Sequence, residues 1–355
     1  MPGRLDRSGA GVPVRAGGVA PCGLARRVAW AETRRVPRIG AGNPAEPWEA
    51  LVDADLDTLA TALYARTDDL LKAFPDHRPR RPKTGLAPKL SDAELITLAV
   101  LQALLGFTSE ARWLRSARKH LRHLFPYLPK QPGYNKRLRK LAATTRWLIG
   151  VLARDTTVWT DDVRVVDSTP VECGRSRETA RRSELAGWAE YGYCASHSRY
   201  FWGLRLHLLC TLHGLPAGFS LTGAKADERD VLLGILAADP DLAARLPGQI
   251  IIGDKNYFGR EFEGQLAGAG TSLLRPARQT EPERADAQFF KPLRQVIESI
   301  NDTLKGQLNL EHHGGHTPEG VIVRVLQRIL ALTAAIWHND HTGQPIMRSL
   351  VAYDH

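Results

Sequence analysis

Apolar positions along this 355-residue chain follow a helical period first and then switch to alternation. Between Trp48 and Phe74, Leu51, Leu56, Leu59, Leu63, Leu70 and Leu71 mark one helical face. Ser91, with Glu94 three residues on, predicts a capping box before ITLAVLQALLGF, and Gly106 ends that run. Ser109 to Leu124 and Tyr134 to Ala153 read as two further helices. From Asp161 the period changes. VRVVDSTPVE (163–172), YFWGLRLHLLCTL (200–212) and LPAGFSLTGA (215–224) predict strands, with His213-Gly214 as the turn between the last two. Residues 178–198 between them read as a polar insert. There follow a helix over Asp227 to Ala238, the strand QIIIGD (249–254), a helix over Arg260 to Ala267 and the strand TSLLRPA. Phe289 to Leu308 and Pro318 to Trp337 are the closing helices. This order predicts an α/β fold: a mixed sheet with helices on both faces, preceded by a helical region.

The boundaries follow from composition. Residues 1–45 are rich in Gly, Arg, Pro and Ala without periodicity, and read as disordered or as translated upstream sequence. Residues 46–155 form the helical region, with a basic, Pro-containing linker from Asp76 to Pro88. Residues 160–340 carry the sheet, and 341–355 a tail. Net charge is +10, which favours a polyanionic partner. The excess is local. Between Glu110 and Asp155 there is no acidic residue, while Arg112, Arg115, Arg118, Lys119, Arg122, Lys130, Lys136, Arg137, Arg139, Lys140 and Arg146 lie inside. Helices joined by short turns and loaded with cations predict a helix-turn-helix type DNA-binding region contacting double-stranded DNA through Arg115, Lys119, Lys136, Arg137 and Arg139. A solvated basic face is the plainer alternative. Cys22, Cys173, Cys194 and Cys210 form no CxxC pair, which argues against a zinc ribbon or a disulfide framework and fits a reducing cytoplasm. No run approaches the ~18 apolar residues of a membrane span, so the expected location is cytoplasmic, at the nucleoid.

Within Arg294–Lys305, Leu293, Ile297, Ile300, Leu304 and Leu308 form an apolar stripe. At roughly 100° per residue, Arg294, Glu298 and Lys305 fall in an arc of about 40° beside it. The plain reading is an i,i+4 ion pair on a surface helix. Asp167 and Asp254, each ending a predicted strand, give that row another meaning. Adjacent strand ends in an open α/β sheet bring distant residues to one rim. Three carboxylates meeting there repel unless a cation neutralises them. Hard oxygen ligands suit Mg²⁺ or Mn²⁺, and two ions ~3.5–4 Å apart can clamp an in-line phosphoryl transfer. A lone aspartate at a strand end is more commonly a turn cap; the joint occurrence of all three carboxylates weighs against that.

VVDSTPVE, YGYCASHSRYFWGLRLHLL, GDKNY and the R-x3-E-x6-K row of Arg294, Glu298 and Lys305 together resemble the DDE-type transposases of bacterial insertion sequences, most of all the group named after insertion sequence nine-eight-two. The resemblance runs from about Asp92 to the C-terminus. It implies a ribonuclease-H-like catalytic core, with Asp167, Asp254 and Glu298 as the metal-binding carboxylates. It also implies binding of terminal inverted repeats and cut-and-paste movement of the element. Arg294 and Lys305 would contact phosphates near the scissile bond. Related families carry Tyr three residues before that Arg; here the position is Lys291.

Lys255, Tyr257 and Arg175, the last opening a run with Arg177, Arg181 and Arg182, are further candidate DNA contacts. Trp188, Tyr191 and Tyr193 read as local packing, with stacking on an unpaired base as the alternative. His312, His313 and His316, flanked by Gly314 and Gly315, read as a plain loop rather than a zinc site. The expected activity is therefore Mg²⁺-dependent strand cleavage and transfer by an oligomer assembled on DNA. A catalytically inactive remnant that only occupies element ends, and a ribonuclease-H-like nuclease, are the alternatives.

Overall fold

The computed structural model describes residues 48–80, 87–174, 176–194, 198–244, 248–279, 281–282 and 290–353. The expectation of disorder over 1–45 and the candidate contact Arg175 lie outside them. Pro44–His355 forms one compact unit.

Five helices open the described chain: α1 (Trp48–Ala73), α2 (Asp92–Leu104), α3 (Glu110–His120), α4 (Gln131–Lys140) and α5 (Ala142–Arg154). The capping box at α2 forms as the spacing requires. Ser91 Oγ accepts from Glu94 N at 3.1 Å, and Glu94 Oε2 accepts from Ser91 N at 2.5 Å. The single helix expected over Tyr134–Ala153 is two, broken at Leu141, whose ψ of 5° leaves the helical well. The break lets α4 turn a cationic face outward while α5 keeps Leu148, Ile149 and Leu152 buried.

The sheet has six strands: β1 (Val163–Gly174), β2 (Glu190–Cys194), β3 (Arg199–Thr211), β4 (Pro216–Gly223), β5 (Gln249–Ile252) and β6 (Thr271–Leu274). The order is β2-β3-β1-β5-β6, with β4 also paired to β3. β3 pairs antiparallel with both β1 and β4, while β5 pairs parallel with β1 and β6 parallel with β5. This is the mixed sheet expected, and its order is consistent with a ribonuclease-H-like core. β2 is the strand the sequence hides. EYGYC sits at an edge of β3, where only Gly192 and Cys194 turn inward, so the segment is too polar to stand out. A short helix, α6 (Arg177–Arg182), precedes it.

Helices α7 (Glu228–Ala238), α8 (Asp241–Ala244) and α9 (Arg260–Gly268) connect the later strands. α10 (Phe290–Asp302) runs into a π-helical turn at Thr303–Gln307, where Leu308 N donates to Thr303 O five residues back at 2.9 Å. α11 (Pro318–His341) is long and apolar enough to cross a membrane, contrary to the sequence expectation, but 89% of its apolar window is buried inside the protein. It is the shared core helix. It packs on α1, α2 and α5 from the helical region and on β4 from the sheet. Its polar residues are matched rather than exposed. Arg324 pairs with Glu110, and Gln327 Nε2 donates to Gln102 Oε1 at 3.2 Å. That Gln102 oxygen also accepts from Tyr134 Oη at 2.8 Å.

Candidate active site

The rim of the sheet is set by the register of β1 and β5. Val165 lies opposite Ile252 in parallel pairing. Asp167, within β1, and Asp254, in the turn just past the end of β5, each stand two residues further along the chain. Asp167 is fixed from two sides: Ser168 N donates to Oδ1 at 2.8 Å and Asn301 Nδ2 to Oδ2 at 2.6 Å. Asp254 is exposed, and both its oxygens are held by Asn256, from the backbone N at 2.8 Å and from Nδ2 at 3.0 Å.

The electrostatics show why these two groups are unusual. Burial pushes the Asp167 carboxyl up to about 6; the charges of Asp254 and Glu228 push the same way, and the two hydrogen bonds resist. Asp254 is raised as well, first by desolvation among the surrounding segments and then by Glu228. Both acids are thus strained by the loss of water and by like charge, the condition a cation relieves. The donors are all hard oxygens, the chemistry of Mg²⁺ and Mn²⁺.

Successive strand residues point to opposite faces, and β1 uses both. Asp167 meets α10 through Asn301, while Ser168 meets α7. Ser168 Oγ donates to Glu228 Oε1 at 2.5 Å. Arg205 Nη1, from β3, donates to the same Glu228 oxygen and to Ser168 Oγ, both at 2.9 Å. Arg205 Nη2 reaches Tyr193 O at 3.2 Å. Sequence reasoning missed Ser168, Arg205, Glu228 and Asn301. The signal for Glu228 was present only as the first-turn acid of a helix capped by Asp227, a position acids occupy for the helix dipole alone.

Glu298 is exposed and lines an open groove with Gln295, Ser299, Asp302, Thr303 and Gln307. Asn301, three residues on, is the α10 side chain that reaches Asp167. Among the described residues no three His, Cys, Asp or Glu side chains stand close enough to hold one metal ion. The apolar stripe does anchor α10 as expected: Ile300, Leu304 and Leu308 are buried. Lys305 is half-buried in the π turn, which takes it out of α-helical phase with Glu298. The side chains of Lys291, Leu293 and Arg294 lie outside the described residues.

Of the other candidates, Lys255 is exposed beside Asp254. Tyr257 is not a surface contact. It is 1% exposed, its ring lies against Gly253, where a Cβ would come within 2.9 Å of it, and its hydroxyl has no hydrogen-bond partner among the described residues. Arg115, Lys119, Lys136 and Arg139 are exposed. Arg137 instead bonds Asp92 at 2.7 Å and is a fold contact. The aromatic residues of the β2 region also depart from the packing expectation: Tyr191 and Tyr193, with Tyr200 beside them, are 51%, 47% and 78% exposed. His313 is buried; its Nε2 donates to Glu172 O at 3.0 Å and its Nδ1 accepts from Gly315 N at 3.0 Å, leaving no nitrogen for zinc.

Comparison with known families matches residues 159–334 to the model described as a transposase DDE domain. A comparison with curated proteins gave no match.

Proposed function

We propose, from the transposase DDE domain at residues 159–334, that this chain binds the terminal inverted repeats of its own mobile element and catalyses metal-dependent DNA cleavage and strand transfer. One observation carries this reading: Asp167 on β1 and Asp254, just past the end of the parallel neighbour β5, are each pushed up by desolvation and by neighbouring carboxylate charge. A divalent cation bound there supplies a more acidic attacking hydroxyl and charge neutralisation at the departing oxygen. The chain's own residues hold the frame. Asn301 and Ser168 N fix Asp167, and Asn256 fixes Asp254. Lys255, Lys305 and Arg294 supply cations for phosphates near the scissile bond.

Glu298 is the third carboxylate of this reading. It precedes Asn301 by three residues, about 4.5 Å along the helix axis. The π turn that follows is a backbone feature common at functional sites. The exposed cations of α3 and α4 are the proposed contacts to the inverted repeats, and the active form is an oligomer holding two ends. A second reading, a DNA-binding remnant without catalysis, draws on there being, among the described residues, no three acidic or other metal-ligating side chains close enough to hold one ion.

The deciding experiment is a Mg²⁺ cleavage assay on labelled DNA from the element's ends. The wild-type chain cleaves; Asp167→Asn, Asp254→Asn and Glu298→Gln do not, yet still retard the same DNA. Wild-type cleavage by any of the three sinks the triad. End binding with no cleavage by the wild type in Mg²⁺ or Mn²⁺ establishes the remnant.

A further inference from the structure

Glu228 and Tyr257 belong to none of the roles above, and the charge of Glu228 acts on Asp167, Asp254 and Tyr257 alike. Glu228 opens α7, fixed there by the Asp227 cap, whose Oδ1 accepts from Arg229 N at 2.9 Å. Its side chain is 19% exposed. Oε1 takes the bonds from Ser168 and Arg205. Since Ser168 directly follows Asp167, this clamp and the Asp167 carboxylate share one short piece of β1.

Tyr257 comes to the same place from β5. The turn after Asp254, closed by Tyr257 N donating to Asp254 O at 3.2 Å, folds the ring under Gly253. The hydroxyl is then buried with no partner among the described residues. Buried hydroxyls are nearly always satisfied, by water or a ligand where the protein supplies nothing. The surroundings identify which: after burial, the charges of Glu228, then Asp167, then Asp254 hold the phenol well above its ordinary value. The hydroxyl feels these charges yet bonds none of the three carboxylates, and water held by a cation there would supply the acceptor oxygen it lacks.

We propose that Glu228, clamped by Ser168 and Arg205, and the Tyr257 hydroxyl form an outer seat for a hydrated divalent cation at the Asp167–Asp254 rim, contacting the ion through its water. This rests on the cation-dependent reading above. Tyr257 Oη donates to the ion's water layer, and Glu228 accepts from it. Arg205 keeps Glu228 from swinging onto the ion directly. Both are positioning residues, and partners of this kind change metal affinity by about 10–100-fold when removed.

The test is Mn²⁺ titration of the full chain without DNA, followed by electron paramagnetic resonance of the remaining free ion and by water-proton relaxation. Wild type binds Mn²⁺, and Asp167→Asn loses it. Tyr257→Phe and Glu228→Gln each weaken binding about 10-fold or more and alter the relaxation enhancement per bound ion. Tyr257→Phe removes an unbonded hydroxyl, so the metal-free melting temperature stays level or rises while the Mn²⁺-induced increase shrinks. Mn²⁺ affinity equal to wild type in Tyr257→Phe overturns the proposal, and decides it alone if Glu228→Gln does not fold. Loss in Asp167→Asn with both other variants unchanged overturns the outer seat and leaves the cation reading standing. A wild-type chain that binds no Mn²⁺ overturns both.

Discussion

At the scale of single residues, the chemistry depends on groups held in unfavourable charge states. Two histidines display this without any metal. His313 is 3% exposed, and burial, then Arg328, pushes it down to about 4; burial likewise takes His207 to about 4. In the unfolded chain each gains its proton near 6.5. The unfolded state therefore binds more protons between 6.5 and 4, and stability is lost as pH falls through that window. We expect denaturant midpoints to drop from pH 7 to pH 5, with a smaller drop in His313→Gln even though that variant starts less stable. An unchanged drop would assign the acid sensitivity elsewhere. The carboxylates at the rim behave in the opposite sense. Asp167, raised to about 6, adds a cost as pH rises through 6, because the folded state holds its proton longer than the unfolded chain.

At the scale of elements, α3 and α4 divide their cations between surface and fold. Arg115 and Lys119 on α3, and Lys136 and Arg139 on α4, are exposed, whereas Arg137 is bound to Asp92 on α2. Replacing Lys136 or Arg139 by Ala should lower the slope of log K against log salt for DNA binding by about 1 each, with stability unchanged. Arg137→Ala should leave the slope alone and cost about 1.5–3 kcal/mol, the worth of a hydrogen bond to a charged group. Salt titrations and chemical melts on the three variants separate the roles. A periodic count of charges along α4 cannot do so, because the neighbour that claims Arg137 comes from another helix.

At the scale of the whole molecule, α11 joins the helical region to the sheet through matched polar groups inside an apolar core. Glu110 and Arg324 are 5% and 7% exposed, and Asn135 Nδ2 adds a bond to Glu110 at 2.9 Å. Glu110→Ala leaves a buried guanidinium without its partner, and we expect a loss of about 3–5 kcal/mol in equilibrium unfolding. A loss below about 1 kcal/mol would mean that Arg324 finds water in the variant.

The residues that made the sheet and helices legible act on their near neighbours. Ser91 and Glu94 cap their own helix, alternation marks β3, and Ile300, Leu304 and Leu308 anchor α10 as their spacing requires. Such short-range signals also placed Asp167 on β1 and Asp254 just past β5, although Asp167 lies within its strand, which runs on to Gly174, and not at its end. Pairing and helix rotation decided the rest, since both depend on contacts between segments far apart in the chain. The pairing of β1 with β5 brought the segments that carry the two aspartates side by side. The rotation of α10 turned Asn301 to Asp167, and the packing of α7 brought in Glu228. A strand end or a helical stripe specifies a face of its own element; only the assembled core, by fixing which faces meet, selects the carboxylates that share a rim.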